Sequence, residues 1–155
     1  MIAFVLLGAI GLVGIVLLSH NVTRDLKLLN SASSDNVQWT LSQAEVEFLE
    51  FQMNLGEATS DPAPDLRALR RDFDIFYSRI NTLGQASIYA NLRGLPDFSR
   101  NLRIVQTFLD RSTSAIDASD AELTRTLPDL LDRTNAVRPN VRKLSTVGAA
   151  ASPSR

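Results

Sequence analysis

The sequence contains no cysteine and only one histidine, His20. The absence of cysteine excludes disulfides, thiolate zinc sites and cysteine nucleophiles. One histidine is too few for a metal site, and no carboxylate has a helix-spaced histidine or a glycine-rich loop beside it. We therefore predict that the chain has no catalytic residue, no metal site and no cofactor.

Neither sign of charge is in large excess. The 155 residues include 16 Lys and Arg against 17 Asp and Glu, a formal net charge of -1. A protein that neutralises a phosphate backbone needs a basic surplus, so nucleic acid is excluded as an expected partner. The length allows one modest domain together with a short additional segment.

One stretch has no polar side chain at all. Residues 2–18 read IAFVLLGAIGLVGIVLL, which predicts a transmembrane helix over residues 1–19 and a lipid bilayer as partner. A cleaved signal peptide is the alternative, but the run lacks a basic region before it and an A-x-A-like site near Ser19. Arg24 and Lys27 follow the span and would place the remainder in the cytoplasm, an orientation that the sequence leaves open.

Residues 20–147 carry apolar side chains at steps of three and four, the spacing of amphipathic helices that pack together. Proline and glycine divide this region into four helices, over about 20–56, 65–93, 96–117 and 120–147. Short connections make neighbouring helices antiparallel, so we predict an all-α fold, an up-down-up-down four-helix bundle that continues from the transmembrane helix. The clearest apolar seam is that of the second helix, formed by Leu66, Leu69, Phe73, Phe76, Ile80 and Leu83.

The predicted bundle has several local consequences. Folding the sequence at the first turn places Phe48 opposite Phe73. The same register puts acidic residues of the first helix beside basic residues of the second: Glu45, Glu47 and Glu50 beside Arg67, Arg70 and Arg71. Pro128 and Pro139 are expected to kink or split the fourth helix.

The predicted core is not uniformly apolar. Ser33, Ser87 and Thr134 cluster around Leu102 in one layer of the folded register. We interpret this candidate polar layer as a soft point where helices can slide or rotate. The alternative is that some of these side chains point outward.

Two segments resemble a known family. SSDNVQWTLSQAEVEFLEFQ, residues 33–52, and RRDFDIFYSRINTL, residues 70–83, are similar to the amino-terminal sensory region of bacterial membrane-bound hybrid sensor histidine kinases. The resemblance covers roughly residues 20–147. It implies a single-pass inner-membrane location in this chain, with a periplasmic bundle. It also implies a homodimer and a ligand that is a small molecule or a periplasmic protein.

The chain departs from that family in its catalytic parts. His20 is followed by Asn-Val-Thr-Arg instead of the H-E-x-x pattern of a phosphoacceptor, and there is no nucleotide-binding motif. Residues 148–155 form a polar tail that we interpret as a truncation point before a missing second span. A full-length family member would be a kinase, but this chain is expected to be only its non-enzymatic input module.

Two other functions fit the same pattern. The module is equally compatible with a chemotaxis receptor or a diguanylate cyclase as its output. A stand-alone structural membrane tether would need no second span.

Overall fold

The computed structural model describes residues 36–151, and the side chains of residues 36–147. Every regular element in this part is helical, which confirms the all-α class. Helix α1 occupies residues 36–60 of the described chain. The other elements are α2 (Leu66–Gln85), a 3-10 turn (Ser87–Tyr89), α3 (Ala90–Arg93), α4 (Pro96–Ile116) and α5 (Asp120–Ala151).

Helix α1 continues one turn beyond its predicted end. Gly56 has no positive φ and stays within the helix. The Thr59 hydroxyl donates to the Leu55 carbonyl at 2.7 Å, and the amide of Asp61 donates to the Glu57 carbonyl at 3.0 Å. The helix therefore ends where proline first interrupts the chain, since a single glycine weakens a helix but does not break it.

Helix α2 has the predicted seam but not the predicted length. All six seam residues are buried, and the Asp65 carboxylate caps the first turn by accepting from the amide of Ala68 at 2.9 Å. The helix ends at Gln85 because Ala86 is extended, so the single helix predicted over 65–93 is interrupted. Arg93 donates to the carbonyls of Leu83 at 3.0 Å and Ala86 at 2.8 Å, which satisfies acceptors that the break exposes.

Of the two predicted effects of Pro128 and Pro139, a kink or a split, the split does not occur, because α5 runs without interruption through both. Both prolines are exposed. A proline inside a helix costs about 3 kcal/mol because it removes a hydrogen bond and crowds the preceding turn. Packing of the opposite face outweighs that cost, and its buried residues are Leu123, Leu127, Leu130, Thr134, Val137, Val141 and Leu144.

The contacts between helices belong to one compact unit that begins at Val37. Phe48 packs on Phe76 with ring centroids 5.3 Å apart, and Phe51 packs on Phe73 at 5.5 Å. The two helices are thus antiparallel, but Phe48 faces a residue three positions beyond the predicted Phe73. The longer α1 explains the shift, because the turn between the helices starts later.

Equivalent contacts orient the remaining helices. The Tyr77 hydroxyl of α2 donates to Asp110 of α4 at 3.5 Å, whereas Arg70, earlier in α2, reaches the end of α4. Asn140 of α5 donates to Asn101 of α4 at 2.9 Å, and a three-residue turn separates these two helices. These contacts join α2 to α4 and α4 to α5.

The predicted charge pairing between α1 and α2 is replaced by a different set. Glu47 pairs with Arg79, while Arg70 pairs with Asp120 and Arg71 with its neighbour Asp72. The shifted register accounts for the change of partner at Glu47. Formal charge alone did not distinguish among the arginines of α2.

The predicted transmembrane helix and His20 lie outside the described residues. Within residues 36–151, no helix is both long enough and apolar enough to cross a bilayer. Even the longest, α5, carries charged side chains along its length, among them Glu122, Arg133 and Arg142. This finding contradicts the predicted localisation, which was single-pass in the bacterial inner membrane with a periplasmic bundle.

Candidate functional site

The structure does not assemble the predicted polar layer of Ser33, Ser87 and Thr134. Ser33 lies outside the described residues. Ser87 is exposed, because it belongs to the 3-10 turn that replaces the end of the predicted second helix. Thr134 is fully buried, and its hydroxyl donates to the Leu130 carbonyl at 2.7 Å. Of the two described members of the predicted layer, Thr134 is buried and Ser87 is not.

Other polar side chains occupy the core at α4. Asn101 is 6% exposed; its amide donates to the Asp97 carbonyl at 2.6 Å, and its oxygen accepts from Asn140. Ser112 is fully buried, and its hydroxyl has no hydrogen-bond partner among the described residues. Asn101, beside the buried Leu102, was not among the predicted polar core residues.

A largely buried ion pair joins α1 to α2. Glu47 is only 5% exposed. Arg79 donates through Nε to both carboxylate oxygens, at 3.0 and 3.2 Å, and through Nη2 to Oε1 at 2.6 Å. This bidentate geometry is the strongest form of the pair, and it fixes both distance and rotation between the helices.

The hydrogen bond to Glu47 raises the pKa of the Arg79 guanidinium above its ordinary value, while burial acts in the opposite direction. A raised pKa in the folded protein means that the pair's stabilisation is fully present below the ordinary arginine value and is lost only as pH rises above it. Arg79 consequently stays charged throughout the range in which proteins are usually studied.

A second arginine holds the opposite face of α2 to the turn between α4 and α5. Arg70 donates to the carbonyls of Ile116 at 2.9 Å and Ala118 at 2.8 Å, and to the carboxylate of Asp120 at 2.7 Å. The Ile116 carbonyl ends α4, where a positive charge is favourable to the helix dipole. We call this end of the unit, with the turns at 61–65 and 117–119, the turn end.

Two hydrogen bonds link α1 to α5, and the donor in each is an uncharged side chain. Gln52 donates to Asn135 at 2.6 Å, and the Ser145 hydroxyl donates to the Glu45 carboxylate. Ser145 lies near the end of α5 and Glu45 near the start of the described part of α1. The region around Glu45 and Ser145 therefore lies opposite the turn end, and we call it the open end.

A groove of about 380 Å³ lies between α4 and α5. Its lining combines apolar and basic residues: Arg103, Ile104, Thr107, Phe108, Arg111, Arg133, Ala136 and Val137. We call it the α4–α5 groove. The α4–α5 groove was not predicted, because its position depends on which faces of the two helices adjoin.

The described residues contain no group of three or more side chains able to hold a metal ion. Comparison of the chain with protein-family models, with curated proteins and with solved structures found no match.

Removal of Arg79 should destabilise the protein much more than removal of a surface arginine. Arg79→Ala leaves the Glu47 carboxylate buried without its partner, and we expect a loss of about 2–4 kcal/mol. The matched control is Arg125→Ala, which removes the exposed pair with Glu122 and should cost less than about 1 kcal/mol. Urea denaturation of the two variants measures both values.

The same measurement on a double variant separates charge burial from packing. Glu47→Met combined with Arg79→Met should recover most of the stability lost in Arg79→Ala, because no charge is then left buried. Equal losses in Arg79→Ala and Arg125→Ala would contradict the importance of the pair.

Ser112→Ala should stabilise the protein. The buried hydroxyl has no hydrogen bond to any described residue but loses its hydration, so its removal is expected to add about 1 kcal/mol of stability. Ser114→Ala is the control, since Ser114 is exposed on the same helix and should change stability little. Thermal denaturation compares the two; a lower melting temperature for Ser112→Ala would show that the hydroxyl has a favourable partner.

Proposed function

We propose that the chain is the input module of a sensor histidine kinase, and that it passes a signal by displacement of α5 relative to α1. The resemblance of residues 33–52 and 70–83 to sensory regions of such kinases supports the assignment. The arrangement of α1 beside α5 supports the mechanism. That the chain has no catalytic activity of its own, and that it takes a ligand, stay predictions.

The proposal includes an antiparallel up-down-up-down bundle of α1, α2, α4 and α5. Its support is the order of contacts around the unit: α1 with α2 through the phenylalanine pairs, α2 with α4 through Arg70, α4 with α5 through Asn101 and α5 with α1 through Gln52. In this order α1 and α5, the first and last long helices, are neighbours. The start of α1 and the end of α5 therefore lie side by side.

The two ends of the unit are joined by different groups. At the turn end, the Arg70 guanidinium makes three contacts that join α2 to the turn between α4 and α5. At the open end, the Ser145 hydroxyl of α5 reaches the Glu45 carboxylate of α1 and also the Arg142 carbonyl of its own helix. Its single proton can be donated to only one of them, so a displacement of α5 by 1–2 Å, about what helix interfaces permit, would change which acceptor it takes.

The contact between Glu45 and Ser145 is the observation on which the mechanism depends. A hydroxyl makes a stronger hydrogen bond to a carboxylate than to a neutral group, yet the Ser145 proton has an alternative acceptor in the Arg142 carbonyl. Gain or loss of this bond would therefore favour one of two positions of α5.

A fusion of the full chain to a histidine-kinase core tests the proposal. Ser145→Ala removes the donor to Glu45 and should change the autophosphorylation rate by about 5-fold or more, the lower range of measured coupling between sites. Thr146→Ala is the matched control: Thr146 is the exposed neighbour, and its hydroxyl donates only to the Lys143 carbonyl of its own helix. It should leave the rate unchanged.

A distance measurement shows whether the rate change reflects helix movement. The chain has no cysteine, so spin labels can be placed at Ser42 and Lys143 near the open end, and at Ser60 and Thr124 near the turn end. Ser145→Ala should alter the first distance and not the second. Equal autophosphorylation in Ser145→Ala and Thr146→Ala, with both distances unchanged, is the result for a rigid tether and would contradict the proposal.

The homodimer also stays a prediction, and one face of α1 supports it. Trp39, Val46 and Met53 are exposed, at 59%, 45% and 58%, and lie seven residues apart. Apolar residues at this interval can form a seam between two helices. The acidic neighbours of the seam, such as Glu50, repel one another in a symmetric pair, so the association should be weak.

Sedimentation of the full chain measures this association. Val46→Glu should raise the dimer dissociation constant about tenfold or more, since it places a charge within the seam. The control is Ile75→Glu on α2, where the wild-type side chain is exposed to the same extent, 45%. If the two variants dissociate alike, the outer face of α1 is not the dimer interface.

A further inference from the structure

The floor of the α4–α5 groove is apolar and partly open to solvent. Phe108 and Val137 form its buried part, at 8% and 5% exposure, while Ile104 is 43% exposed. Ala136, also exposed, lines the groove from α5. A concave apolar surface of this kind gains free energy when a ligand excludes water from it.

The rim of the groove is basic. Arg103 and Arg111 of α4 are both exposed, and no carboxylate pairs with either within the part of the chain that the structure describes. Arg133 of α5 is different, because it is held by the carboxylate of Asp129 at 2.6 Å. The uncompensated positive charge of the groove therefore comes from the two arginines of α4.

The ends of the groove set the size of what it can hold. Arg103 and Arg111 are eight residues apart on one helix, which corresponds to about 12 Å along its axis. The volume of about 380 Å³ is near the lower limit of small-molecule sites. An arginine at each end of a short apolar floor suits a ligand with one anionic group and a compact hydrocarbon body.

We propose that the α4–α5 groove binds a small amphiphilic carboxylate. Its hydrocarbon part covers Ile104, Phe108 and Val137, and its carboxylate accepts hydrogen bonds from Arg103 or Arg111. Arginine suits this role because its planar guanidinium donates two parallel bonds to a carboxylate. Charge complementarity at the rim selects an anion over a neutral or cationic molecule of the same shape.

Ligand binding can be tested separately from the signalling role proposed above, because a titration of the isolated full chain needs no kinase output. The chain is titrated with octanoate, and binding is measured by NMR from the amide chemical shifts of the isotope-labelled protein. Octanol supplies the same hydrocarbon without charge, and octylammonium supplies the opposite charge. Octanoate should shift the amides of residues 103–111 and 133–137, with an affinity about tenfold higher than that of octanol, because bonds to a charged group add to the apolar contact.

Variants at the rim and floor test the placement. Arg103→Gln together with Arg111→Gln should weaken octanoate binding about tenfold and leave octanol binding unchanged. Arg100→Gln together with Arg125→Gln is the matched control, because it removes two exposed positive charges outside the groove. Ala136→Leu fills the groove without altering charge, and should weaken both ligands.

Three results would overturn the proposal. The first is equal affinity for octanoate and octanol, which would leave no role for the arginines. The second is an equal loss in the rim variant and in the variant that removes Arg100 and Arg125, which would indicate general electrostatic attraction. The third is a set of amide chemical-shift changes that lie outside the groove.

Discussion

Burial of the α2 seam against α1 is the constraint on which the other contacts depend. Phe48 and Phe51 pack on Phe76 and Phe73 at the centroid distances typical of aromatic pairs. Because these rings are among the largest fully buried side chains, their placement fixes the register of the two helices. That register brings Glu47 to Arg79, and the opposite face of α2 then presents Arg70 to the turn between α4 and α5.

Helical class and most of the core were predictable because both follow from apolar spacing along the chain. All six predicted seam residues of α2, from Leu66 to Leu83, are buried. The positions at which helices end were harder to predict. Ala86 ends α2 although nothing in its own side chain disfavours a helix, and the compensation comes from Arg93, seven residues later. Conversely, Pro139 does not end α5, since tertiary packing outweighs local preference.

The candidate sites were less predictable than the core because they depend on the partners of polar side chains. A seam predicts which side chains are buried, but the partner of a polar side chain depends on register and on rotation about the helix axis. The register of α1 and α2 differs from the predicted one by about one turn, so Glu47 pairs with Arg79. The predicted second helix ends before Ser87, so the Ser87 side chain is exposed. The α4–α5 groove depends in addition on which faces of two helices adjoin, a relation between residues more than twenty positions apart.

Helix α5 connects the two proposals physically, since it forms one wall of the groove and also carries Ser145. Arg133 and Val137 line the groove, while Ser145 lies about two turns further along the same continuous helix. A ligand between α4 and α5 could move the open end only to the extent that it binds one position of α5 more tightly than the other. A groove with a partly exposed floor offers modest differential affinity, so the two positions of α5 must differ little in free energy if the ligand is to shift their populations.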